Sequence, residues 1–138
     1  MRTILFRAKS LSDNQWIIGT YFKSENKHFI VHHEKYQSIL IDESTLSEYA
    51  GIVDKHGIYI YENHVLETLL PDPVEPDGFC HVRNVVAFKN GSFGIIGDVT
   101  GKFKSFTSMG YKGVFNDGEV IGDILSNPEL IEGQSNGK

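Results

Sequence analysis

The sequence is short of several things, and each shortage excludes something. It has one cysteine, Cys80, so no intramolecular disulfide can form. No apolar run approaches the roughly 20 residues that span a bilayer, so no membrane association is expected. The opening Met1-Arg-Thr-Ile-Leu-Phe-Arg7 lacks a long apolar stretch and does not read as a signal peptide. Thirteen basic residues stand against eighteen acidic ones, a net charge of -5, so a chain-wide cationic footprint for nucleic acid is absent. No segment carries a sustained apolar stripe at helical period, which argues against a helical bundle. Four prolines are present, and three fall in Pro71-Asp-Pro-Val-Glu-Pro-Asp-Gly78. Proline cannot donate to a ladder, so this acidic segment reads as a loop. What remains, 40% hydrophobic and 12% aromatic in 138 residues, suffices for a core.

The strands announce themselves by alternation. Ile4, Phe6 and Ala8 face one way and Arg7 and Lys9 the other, and Trp16–Lys23 follows across the turn-forming Leu11–Gln15. In His28–His33, Phe29 and Val31 share one face and Ile30 takes the other. Ser38–Ile41 is a further strand. In Asp42–Tyr49, Asp42 or Ser44 can cap one or two turns of helix or 3₁₀ helix. Asp54-Lys-His-Gly57 is a tight turn, and Ile58–Leu70 returns to β-prone sequence. After the proline loop, Phe79–Lys89 and Ser92–Gly97 flank the hairpin turn Asn90-Gly91. Phe103–Ser108 and Glu119–Leu125 complete the set, separated by Thr100-Gly101 and Asn116-Asp-Gly118. Asn127-Pro128 starts a short helix as cap and first residue. The expectation is a mainly β fold of antiparallel strands with a small SH3-like barrel portion and short helical turns. One domain covers 1–131, with the 71–78 loop between two strand-rich halves. Residues 132–138, without an apolar side chain, form a flexible tail.

The chemistry-bearing residues form no motif at metal or catalytic spacing, so no enzyme and no cofactor is expected. Of six histidines, His28 and His32 share a strand face, His32 and His33 diverge, and Cys80 and His81 diverge. A metal-dependent hydrolase built on His28, His32 and His64 is the weakest of three readings. Gly94-Ile-Ile-Gly97 lacks the ending of a phosphate loop. Lys102–Lys112 is the stretch most suggestive of a ligand. It carries Lys102, Lys104 and Lys112 without an acid and interleaves Phe103, Phe106 and Tyr111, the mixture that holds single nucleic-acid strands. Phe103 and Phe106 are an odd number apart, so at least one belongs to the core. Arg2 and Arg7 form a second basic patch. Nucleic acid is the alternative reading, behind a protein that acts by binding other proteins or itself. Trp16 reads as a packing residue.

Several of these residues together resemble the YopX family of bacteriophage and prophage proteins. Phe6-Arg7-Ala8 with Trp16-Ile-Ile-Gly19 is similar to that family's opening. Tyr49-Ala-Gly51-Ile52, Asp54-Lys-His-Gly57 and Ile60-Tyr61-Glu62 match its middle, and Gly122 with Asn127-Pro128 its end. Where the family reads Glu-Gly-Asp-Ile-Val, this chain has Glu62-Asn63-His64-Val65-Leu66. Asn63 can adopt positive φ as glycine does, whereas His64 cannot replace an acid's charge. The resemblance implies a phage or prophage accessory protein in the cytoplasm of a bacterial host. It also implies homo-oligomers and a host or phage protein as partner, and assigns no catalytic residues.

Overall fold

The computed structural model describes residues 3–97 and 101–131. The chain divides into two compact units, Met1–Gly51 and Ile52–Lys138.

In the first unit, β1 (Phe6–Lys9), β2 (Trp16–Ser24), β3 (Lys27–His32) and β4 (Ser38–Leu40) form an antiparallel meander. Ser47 and Glu48, at the start of β5 (Ser47–Asp54), pair on the other side of β1. An isolated bridge joins Ser10 to Ile41, and Leu11 N–H donates to the Leu40 carbonyl at 3.0 Å. The far end of the meander is thus tied back to the end of β1, and the sheet curls around its inner face. That face holds the buried Ala8, Ile30 and Ile41, with Phe6, Ile17, Tyr21 and Leu46 packed on them. Alternation sends Arg7, Lys9, Trp16, Ile18, Phe22, Phe29 and Leu40 to the opposite, outer face. Gly19 lies on the inner face, opposite Phe6 and His32. A Cβ there would lie 1.8 Å from the Val31 carbonyl oxygen, so no larger residue fits. The capped turn is a 3₁₀ turn, Glu43–Thr45, with the Asp42 carboxylate accepting from Ser44 N–H at 3.0 Å.

In the second unit, β6 (Tyr59–Tyr61) pairs with β5. The main sheet runs β10 (Phe103–Ser105), β9 (Ser92–Gly97), β8 (Phe79–Lys89), β7 (His64–Pro71), β12 (Gly118–Asp123), all antiparallel. The Asn90-Gly91 turn has φ of 52° and 80°, which lets the backbone twist match that of β8 and β9. Asn63, in the place of the family's glycine, takes φ 72°. At Gly122 the β7–β12 register shifts, and a Cβ would meet Leu130 Cδ1 at 2.7 Å.

The fold is mainly β and antiparallel, as the alternation implied, but the expected barrel portion is not realised as a closed barrel. The edge strands β10 and β12 do not pair with each other. β10 contributes three paired residues before the chain leaves the sheet. One pairing is parallel: β11 (Val114–Phe115) runs alongside Val53 and Asp54 of β5. The proline segment is the loop that joins β7 to β8. The residues after Asn127-Pro128 are helical over 129–131, and residues 132–138, expected as a tail, lie outside the described residues.

Candidate functional site

The middle motif is a structural knot. Asp54 is 1% exposed at the end of β5. One carboxylate oxygen accepts from His56 N–H and Ile58 N–H, both at 2.9 Å, and the other from Val120 N–H at 2.9 Å. Burial pushes this carboxyl up, but the N–H groups of Val120, Ile58 and His56 outweigh it. The group therefore stays charged and below the ordinary aspartate value. It fixes the Asp54–Gly57 turn and ties it to β12. Tyr61, another motif residue, is 3% exposed and packs edge-on against His64 with centroids 5.9 Å apart. His64 Nδ1 accepts the Tyr61 N–H at 3.0 Å. Nδ1 hangs on Cγ just as an aspartate Oδ1 does. A neutral imidazole supplies an acceptor at that point without a charge.

The remaining histidines mostly sit against acids. His28 lies 2.7 Å from the Tyr21 hydroxyl and 3.4 Å from Glu43, and His56 lies 3.0 Å from Glu119. His81 is held between Asp77, 2.7 Å from Nε2, and Glu67, 3.4 Å from Nδ1. Glu67 also takes Arg83 Nε at 3.1 Å, and Arg83 donates to the Leu130 carbonyl at 2.9 Å. Asp77 and then Glu67 raise the His81 pKa above its ordinary value. His81 in turn holds Asp77 below the usual carboxylate value. A carboxylate at each ring nitrogen favours the charged imidazolium more than in an isolated histidine.

His32 and His33 do not diverge. β3 ends at His32, so strand alternation no longer governs His33, and the two rings stack at 5.1 Å. With Glu34 they bring potential ligand atoms within 4.8 Å of one another. His32 Nδ1, however, accepts from the N–H groups of Glu34 at 3.1 Å and Lys35 at 3.2 Å. Its lone pair is committed there, which in the neutral ring leaves the proton on Nε2. His28 and His32 share the inner face of the first unit, whereas His64 belongs to the second, with its Nδ1 engaged by Tyr61.

The basic stretches are placed as follows. In Lys102–Lys112, the three lysines are exposed. Phe106 is 5% exposed and packs with Tyr111 at 6.5 Å and Phe115 at 5.8 Å. The Tyr111 hydroxyl donates to Asp117. Burial first and that carboxylate second push the Tyr111 pKa up to about 12. Two of the three aromatics that could stack on bases therefore serve packing. Arg2 lies outside the described residues. Arg7 sets its guanidinium 3.9 Å from the Trp16 ring centroid, and Lys9 Nζ lies 5.3 Å from it. The Arg and Trp of the opening motif thus form a cation–π pair on the outer sheet face. Phe22 and Phe29 stack on that face at 5.0 Å, with Leu40 paired beside Phe29. Alternation predicted that Phe29 and Val31 share a face. The curl, which has no local sequence signal, decides that this face is the outer one.

The sequence profile described as YopX protein matches residues 5–132. The chain belongs to the YopX family. No curated protein matches the sequence. Among solved structures, the crystal structure of protein EF1440 from Enterococcus faecalis is similar, with a TM-score of 0.57 and 20% identity. The match covers 96% of this chain and 100% of that one, and at this identity it speaks to fold alone. Across the YopX match, the motif residues Asp54 and Tyr61 serve turns and core, and Arg7 and Trp16 pair on a sheet surface. No helix among the described residues is long and apolar enough to cross a membrane.

Proposed function

We propose that this YopX-family chain is a non-enzymatic accessory protein, of phage or prophage origin, that acts by binding and assembles with copies of itself. The observation that carries the reading is the ribbon made by the outer ends of β7 and β8. β12 accompanies β7 only as far as Thr68, and β9 accompanies β8 only from Asn84. Beyond these points, among the described residues, no third strand pairs with the two, which are joined by the proline loop. A lone two-stranded ribbon is marginal in water. This one exposes Leu69 at 40%, Leu70 at 50%, Phe79 at 40% and, in its loop, Val74 at 88%. Leu69 and Phe79 lie on one face and Leu70 on the other. Apolar side chains on both faces of an unsupported ribbon favour cover by a partner.

A second copy is the proposed occupant: two ribbons packed antiparallel about a two-fold axis cover Leu69 and Phe79 of one with the same residues of the other. Light scattering at tens of micromolar tests this. A mass of two or more chains is expected, and a strict monomer contradicts the assembly.

A further inference from the structure

We propose that the outer face of the first unit binds single-stranded nucleic acid along β2, between Lys9 and Lys27. This site is distinct from the Lys102–Lys112 stretch and independent of the self-assembly reading.

The strand positions that face outward on β1 to β4 are Arg7, Lys9, Trp16, Ile18, Thr20, Phe22, Ser24, Lys27, Phe29, Val31, Ser38 and Leu40. They include three cations and three aromatics, and not one is an acid. In a chain of net charge -5 such a face is a local exception. The nearest acids in sequence are Asp13 and Glu25 in the turns at the two ends of β2, Glu34 just after β3, and, two residues past Leu40, Asp42, whose N–H donates to the Lys9 carbonyl at 2.9 Å. Cations and aromatics combine here as they do in sheets that hold single strands. Phe22 is 38% exposed and stacked on half-buried Phe29, which makes a platform for a base. Trp16 with the Arg7 guanidinium makes a second one at the other end. Lys9 pairs in register with Trp16, and Lys27 with Ser24. The path between them follows β2 for at most about 26 Å at ~3.3 Å per residue. That leaves room for several nucleotides, with a lysine at each end for phosphate. Nothing on the face reads a base edge in a fixed pattern, so the recognition is of unpaired bases and backbone, in DNA or RNA.

Trp16 is the chain's one tryptophan, so its emission reports on this face directly. The test titrates the full chain at ~20 mM salt with a fluorescein-labelled dT 12-mer, a U 12-mer and a 12-base-pair duplex. Trp16 emission and probe anisotropy are the two readouts. Both single strands are expected to quench Trp16 and raise anisotropy, with the duplex at least tenfold weaker. The log–log salt slope should be about -1.4, for two phosphate contacts at ~0.7 each. Lys9→Gln with Lys27→Gln, and separately Phe22→Ala, should each weaken binding at least tenfold with an unchanged far-ultraviolet circular dichroism spectrum. The proposal is overturned if neither readout changes up to ~100 µM protein, or if duplex binds as tightly as single strand. It is equally overturned if binding survives the lysine pair of substitutions, or is lost instead on Lys104→Glu with Lys112→Glu.

Discussion

The His64 Nδ1 accepts the backbone N–H of Tyr61 at 3.0 Å. The imidazole is 6% exposed and holds the turn that leads from β6 into β7. The bond needs an acceptor and no charge, so a neutral histidine can make it.

His64→Asn keeps an acceptor on Cγ and should leave the thermal midpoint within a few degrees of the parent. His64→Leu removes the acceptor from a buried N–H, a loss of about 1–3 kcal/mol. Thermal unfolding followed by circular dichroism separates the two, and equal midpoints for both variants would show that the bond contributes nothing.

Asp54 accepts three backbone N–H bonds, so Asp54→Ala should cost about 3 kcal/mol or more, the largest loss among the turn residues. Its carboxyl lies below the ordinary value of 3.8 in the folded chain. The stabilisation it gives is therefore full above that value and is lost as pH falls through the lower folded value. Urea midpoints measured from pH 5 downward should fall for the parent and change less for Asp54→Asn.

His81 has the opposite sign. Its pKa is raised by Asp77 and Glu67, so its contribution is full below 6.5 and disappears as pH rises through the higher folded value. Between pH 6 and 9 the parent should lose more thermal stability than His81→Gln does. A proton NMR titration should place the His81 imidazole above 6.5, and a value at or below it would remove the effect.

Gly19→Ala places a Cβ 1.8 Å from the Val31 carbonyl oxygen, and the contact is backbone, which cannot rotate away. The first unit should fail to fold or unfold well below the parent's temperature. Trp16 emission shifted to that of exposed indole would report it, and a parent-like spectrum would show that β2 and β3 can separate at no cost.

The parts of the fold that were legible in the sequence are those decided locally. Asp42 caps because a carboxylate can reach an N–H two residues on, and Asn90-Gly91 turns because both residues accept positive φ. β8 and β9 appear at the residues expected, since alternation and flanking turn residues agree there. β5 and β11 are not legible. Ala50 and Gly51 have weak strand preference, and a strand of two residues exists only because Val53 and Asp54 lie beside it. The outer face was half legible: alternation separates Phe29 from Ile30, but only the Ser10–Ile41 tie shows which of them is enclosed. In Lys102–Lys112, sequence spacing cannot show that Phe106 and Tyr111 meet Phe115. The His81 cluster carries no linear signal, since Glu67 and Arg83 meet only through the β7–β8 register.

The central claim is self-assembly through the β7–β8 ribbon, and sedimentation velocity of the parent beside Leu70→Asp with Phe79→Asp tests it most directly. The account predicts a parent of two or more chains and a folded, monomeric double variant at the same tens of micromolar. A monomeric parent, or a double variant that keeps the parent's mass, would contradict it.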